Sequence, residues 1–171
     1  MERIKLTGLD HPVLGRLEPH DTLSGVLATS RQLGDVQLEI WVDPDGGPLD
    51  DALRLAASTI PKLAELDARC RALIAADLLA SYNTDWRFGQ VARADGAMEE
   101  FEKPELTEAE FAAKLSPTSL QVTGASLIEF WYSDGEMFWG HSVGLTSFTG
   151  LALTDVHVQM FGLLPVSWTP A

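Results

Sequence analysis

A single cysteine, Cys70, in a chain of 171 residues excludes an intrachain disulfide. Its neighbours Leu66, Leu73 and Ile74 place it on an apolar helix face, where it reads as a small buried side chain rather than a nucleophile. Basic residues are scarce too. Twelve Lys and Arg stand against 25 Asp and Glu, giving a formal charge of −13. Such a field repels phosphate backbones and anionic lipid surfaces, which argues against nucleic acid and membranes as partners. It suits a basic protein partner, and it also serves solubility alone. No continuous apolar run of the roughly 18 residues that a membrane helix needs is present. The opening MERIKLTGLDHPVLG has no apolar stretch of the signal-peptide kind, so a cytoplasmic chain is expected. His11, His20, His141 and His157 lack metal-ligand spacing, and Asp45-Gly46 lacks the later glutamate of a calcium loop. No metal and no cofactor are expected.

What is present is hydrophobic enough, at 46%, to bury a core, and the length suits one domain over 1–171. Residues 1–45 read as β. Ile4 and Leu6 alternate with charged neighbours, Val13–Glu18 is a second short strand, and Leu23–Thr29 is a third. Val36, Leu38, Ile40 and Val42 alternate with Gln37, Glu39 and Trp41 at a period of two. Residues 48–82 read as helical, with a break at Pro61, which disfavours helical geometry at Ile60. Residues 83–104 read as irregular, with Asn83 closing the helix in left-handed geometry and Ala92–Gly96 as a solvated loop. Residues 106–116 hold a short helix opened by a Thr107–Glu110 capping box and closed by Pro117. Residues 119–161 return to β, with strands at Ser119–Thr123, Leu127–Ser133, Glu136–Leu145 and about Leu151–Phe161. Strands, then helices, then strands predict an α+β domain: a mainly antiparallel sheet with two or three helices on one side.

The densest aromatic stretch is Leu127–Val143, LIEFWYSDGEMFWGHSV. Asp134-Gly135 suits a two-residue type I′ turn. Folding about that turn sets Tyr132 against Met137, Trp131 against Phe138 and Phe130 against Trp139. It puts Ile128, Phe130, Tyr132, Trp139 and His141 on the core face. Glu129, Trp131 and Phe138 then face outward, with Gly140 opposite Glu129 leaving room beside Trp131. An aromatic beside a carboxylate and a gap fits a binding patch; a helix laid over this face would instead make Trp131 ordinary core. A pocket between helix and sheet would be lined by Tyr82, Trp139 and His141.

Gly140-His141-Ser142-Val143-Gly144 matches the G-x-S-x-G pattern of serine hydrolases. That chemistry needs a strand-to-helix elbow, and residues 145–160 show no helical period. Asp155 and His157 follow in the right order but sit two apart on one expected strand. A small hydrolase using Ser142 is the enzymatic alternative.

Tyr82-Asn83-Thr84-Asp85-Trp86, the capped helix, Glu129-Phe130-Trp131-Tyr132 with Asp134-Gly135, and Phe138-Trp139-Gly140-His141-Ser142 occur in this order. The combination, with Val13–Leu17 at its start, resembles an uncharacterised bacterial family of unknown function with the pattern YN-x-x-W … EFWY-x-DG-x-x-FWGHS. The resemblance implies no catalytic residue. Small acidic bacterial domains of this type include proposed immunity proteins that neutralise toxins, and that analogy implies such a role here. The reading from sequence is a non-enzymatic protein-binding module for a basic partner, with Glu129, Trp131, Phe138 and Trp86 as contacts. Self-association through an edge strand or the aromatic face is a further expectation, and a small-ligand binder is the other alternative.

Overall fold

The structure is a computed structural model and describes residues 6–162. It is an α+β domain built on an eight-stranded sheet in the order β1-β2-β3-β4-β7-β8-β9-β10. The strands are β1 (Leu9–His11), β2 (Gly15–Pro19), β3 (Leu27–Leu33), β4 (Val36–Asp43), β7 (Ser116–Thr123), β8 (Leu127–Ser133), β9 (Ser142–Ser147) and β10 (Val156–Phe161). Two further strands, β5 (Phe88–Ala92) and β6 (Met98–Glu102), form a separate hairpin. Among the described residues the one parallel pair is β4 with β7. The chain leaves β4, runs through the helices and the hairpin, and returns alongside β4 in the same direction, as a long crossover allows.

The period-two run of β4 is visible in its burial. Leu38, Ile40 and Val42 are fully buried, while Trp41 stays partly exposed on the other face. The helical stretch divides as Pro61 requires: α1 (Leu49–Thr59), a 3-10 turn Ile60–Lys62, and α2 (Leu63–Ser81). Ala52, Ala56, Leu66, Cys70 and Ile74 join Ile40, Leu120, Phe130 and Leu145 in one core cluster. Complete burial of each large aliphatic or aromatic side chain contributes about 1.5–3 kcal/mol. The capping box forms as expected at the start of α3 (Glu108–Lys114), where the Thr107 hydroxyl accepts from Glu110 N–H and the Glu110 carboxylate from Thr107 N–H. Its far end is tied to α2. The Arg71 guanidinium donates to the carbonyls of Ala112 and Leu115, and Asp67 holds that guanidinium while accepting from the Tyr132 hydroxyl.

Several expectations are corrected. Ile4 lies outside the described residues, and Leu6 is not in a strand. The third strand starts at Leu27 rather than Leu23. Residues 151 and 152 belong to a 3-10 turn, so the last strand starts at Val156. Asn83 does not close the helix in left-handed geometry: the helix runs into a π turn, Tyr82–Trp86. Residues 88–102 are the β5–β6 hairpin, closed by a turn over Arg93–Gly96 with Gly96 at φ 82°.

The largest correction concerns Asp134-Gly135. β8 pairs with β9 through Ser133↔Ser142, Tyr132↔Val143, Trp131↔Gly144, Phe130↔Leu145 and Glu129↔Thr146. Residues 134–141 therefore form a wide loop rather than a two-residue turn. The cause is the Asp134 carboxylate, which is 4% exposed and accepts from the N–H groups of Glu136, Phe138 and Gly140 at 3.0, 2.7 and 3.0 Å. Gathering three donors around one side chain is incompatible with an immediate return of the strand. Gly135 is required because a Cβ there would stand 2.5 Å from the Lys114 carbonyl oxygen, at a φ of 55°.

Candidate functional site

The loop decides where the aromatic residues go. Phe138 is fully buried and packs edge-on against Tyr82, Trp86 and Phe111, with centroids 6.1, 5.4 and 5.9 Å away. It does not face outward, and neither it nor Trp86 joins Glu129 and Trp131. Trp86 is half-buried behind it, edge-on to the His141 ring at 5.5 Å. The His141 Nδ1 lies against the Phe138 carbonyl. Trp139 is not on the core face of a strand: it is 48% exposed and sets the rim of its six-membered ring against Gly89 of β5, beside Phe101 and the Lys103 ammonium.

Tyr82 and Asn83 clamp the returning chain. The Tyr82 hydroxyl donates to the Pro104 carbonyl, and the Asn83 amide both donates to and accepts from the Leu106 backbone. Burial pushes the Tyr82 hydroxyl pKa up, an effect only partly offset by Arg87. The aromatic motifs at residues 82–86 and 134–142 thus build a loop and a hairpin anchor. The hollows of about 560, 460 and 410 Å³ on the described surface are not lined by Tyr82, Trp139 or His141.

Ser142 is the first residue of β9, with no helix following it. It pairs with Phe161, whereas His157 pairs with Thr146. The four positions between His157 and Phe161 correspond to about 13 Å along the strand. Ser142, His157 and Asp155 therefore do not meet. Among the described residues no three His, Cys, Asp or Glu side chains converge as metal ligands, and no helix is long and apolar enough to cross a membrane. Burial raises the Cys70 thiol to about 12, with Asp67 adding to the shift, so it is an inert core thiol.

Glu129 and Trp131 do share the outer face of the sheet, and the register shows what stands beside them. One row across the strands runs Trp41, Gln121, Glu129, Thr146 and His157. The next runs Glu39, Ser119, Trp131, Gly144 and Gln159. Trp41 and Trp131 thus occupy one diagonal of a rectangle, and Glu39 and Glu129 the other. Its sides are about 10 Å by 7 Å from strand and residue spacing.

The Trp131 indole rests on Gly144, where a Cβ would stand 2.6 Å from the ring, and meets Phe161 at 5.4 Å. The glycine beneath it is therefore Gly144, not Gly140. Glu129 Oε1 accepts from the Thr146 hydroxyl at 3.1 Å, which orients the carboxylate. Trp41 is held edge-on by His20 at 5.1 Å. Arg16, on β2, is occupied by Glu18 and Asp10. Neither Glu39 nor Glu129 has an ion-pair partner among the described residues. Trp41 and Glu39 were missed as candidates, although the alternation of residues 36–42 already turned both away from the core. What the sequence hid was the parallel β4–β7 pairing that brings them beside β8.

Two carboxylates without ion-pair partners among the described residues thus share this face with two partly exposed indoles, a chemistry that suits guanidinium and ammonium groups. Comparison with known proteins adds family membership. Residues 11–152 match the family described as "Uncharacterized protein conserved in bacteria (DUF2262)", and the chain belongs to it. No curated protein and no solved structure matches.

Proposed function

We propose that this member of an uncharacterised bacterial family is a non-enzymatic protein-binding module that takes a basic partner on the outer face of its sheet. The observation that carries the reading is the rectangle of Trp41, Glu129, Trp131 and Glu39, whose carboxylates lack cations on the described chain. Lysine and arginine side chains of the partner lie between the indoles, and the net charge of −13 steers the encounter. A toxin-neutralising role in the cytoplasm is the specific form of this reading: an acidic face that covers a basic toxin surface blocks it without chemistry.

The test is co-purification of the full chain from its native host, alongside Trp131→Ala and the double variant Glu39→Gln/Glu129→Gln. The reading expects a basic protein retained by the wild type, lost with both variants although both remain folded, and released by added salt. A partner retained equally by both variants would refute it. Where a secreted toxin is encoded beside the gene, co-expression should rescue growth with the wild type and fail to do so with Trp131→Ala.

A further inference from the structure

The β5–β6 hairpin stands apart from the large sheet, and every residue from Gln90 to Glu100 is exposed. Two backbone hydrogen bonds fix its phase: Lys103 N–H to the Arg87 carbonyl at 2.7 Å and Arg93 N–H to the Ala97 carbonyl at 2.8 Å. Bonded and non-bonded pairs alternate in an antiparallel ladder. The pairs Gly89↔Phe101 and Val91↔Glu99 are therefore bonded inward. The N–H and C=O groups of Phe88, Gln90 and Ala92 then point out from one edge, and those of Met98, Glu100 and Glu102 from the other. Among the described residues no strand pairs with either edge.

The two edges differ. β6 carries Glu99, Glu100 and Glu102, the kind of charge that discourages strand addition. β5, Phe88-Gly89-Gln90-Val91-Ala92, carries none. The arginines that flank it are already matched, Arg87 by Glu102 and Arg93 by Glu99.

We infer that a second copy of this chain pairs with β5, antiparallel about a two-fold axis at Gln90, to give a continuous β6-β5-β5-β6 sheet. The outward groups at 88, 90 and 92 are symmetric about Gln90. Phe88 therefore meets the other copy's Ala92, and Gln90 meets its own counterpart, with every outward N–H facing a carbonyl. The same register sets Val91 opposite the other copy's Gly89, where the Trp139 indole lies. Val91 is 51% exposed and Trp139 48%, and one pairing covers both. This inference does not depend on the basic-partner reading. The two have opposite salt responses, because copies that each carry −13 associate better when salt screens them, whereas a basic partner is released.

The test uses the full chain. Directly opposed bonded residues lie about 5.5 Å apart between Cα atoms, within disulfide reach. Gln90→Cys should cross-link to a covalent dimer under mild oxidation, and Glu100→Cys, on the β6 edge, should not; the native Cys70 is buried and silent. Proline at position 90 removes only an outward N–H and leaves the hairpin ladder intact. In sedimentation velocity the wild type should show a concentration-dependent dimer that Gln90→Pro abolishes and Glu100→Pro spares. The inference is overturned by a wild type that stays monomeric as concentration and salt rise, or by cross-linking of Glu100→Cys as fast as Gln90→Cys.

Discussion

Replacing Asp134 with alanine removes the acceptor that three backbone N–H groups share. Those of Glu136 and Gly140 are partly accessible and can turn to water, but that of Phe138 is buried and cannot. A hydrogen bond to a charged group contributes about 1.5–3 kcal/mol net, and a buried donor left without a partner costs about 1–3 kcal/mol. With partial rehydration of the outer two, the expected loss is about 3 kcal/mol, a large share of a typical 5–15 kcal/mol. The assay is urea unfolding followed by tryptophan fluorescence. With m near 2 kcal/mol per molar, the midpoint should fall by about 1.5 M at unchanged m. Asp134→Asn keeps one oxygen acceptor and should lose about half as much. A midpoint shift below about 0.5 M for Asp134→Ala would refute the assignment of the loop to this carboxylate.

Phe138→Ala should destabilise by about 3–5 kcal/mol, as for other fully buried aromatics, whereas Trp131→Ala should lose binding with a smaller effect on the same unfolding curve. Thr107→Ala should cost about 1 kcal/mol through loss of the cap, measured by thermal unfolding. Burial raises the pKa of the Cys70 thiol and the Tyr132 hydroxyl above their unfolded values, so their contribution to stability is complete below about pH 9 and is lost as pH rises toward 12. Unfolding free energy measured across that window should fall, and Cys70→Ala should flatten the early part of the fall.

The element types that one face of the chain announces were legible. Val36–Val42 alternates cleanly because one side meets the core and the other meets water, and Pro61 and the Thr107–Glu110 box mark helix ends by steric and hydrogen-bond rules that act locally. The outward placement of Glu129 and Trp131 followed from the same alternation. The strand partner did not. Asp134-Gly135 satisfies the sequence rule for a tight turn, but the carboxylate's long reach to Phe138 and Gly140 creates a different loop, with Glu136 and Trp139 at positive φ. Met137 and Phe138 are adjacent and both buried, which strict alternation forbids. A register counted from a two-residue turn places Phe138 outward, and the wider loop turns it inward. Residues 88–102 hid their strands because nearly all of them are exposed and no core face imposes a period; only Asp95-Gly96 marked the turn. The joining of Trp41 to Trp131 depends on a parallel pairing across a long crossover, which no local pattern encodes.

Oxidative footprinting of the tryptophans tests the central claim most directly, performed on the full chain alone and with the basic protein it retains. The outer-face account predicts that Trp41 and Trp131 become protected on binding while Trp86, packed against the β8–β9 loop, and Trp139, within it, keep their reactivity. Protection of Trp86 or Trp139 with Trp41 and Trp131 unchanged would contradict it.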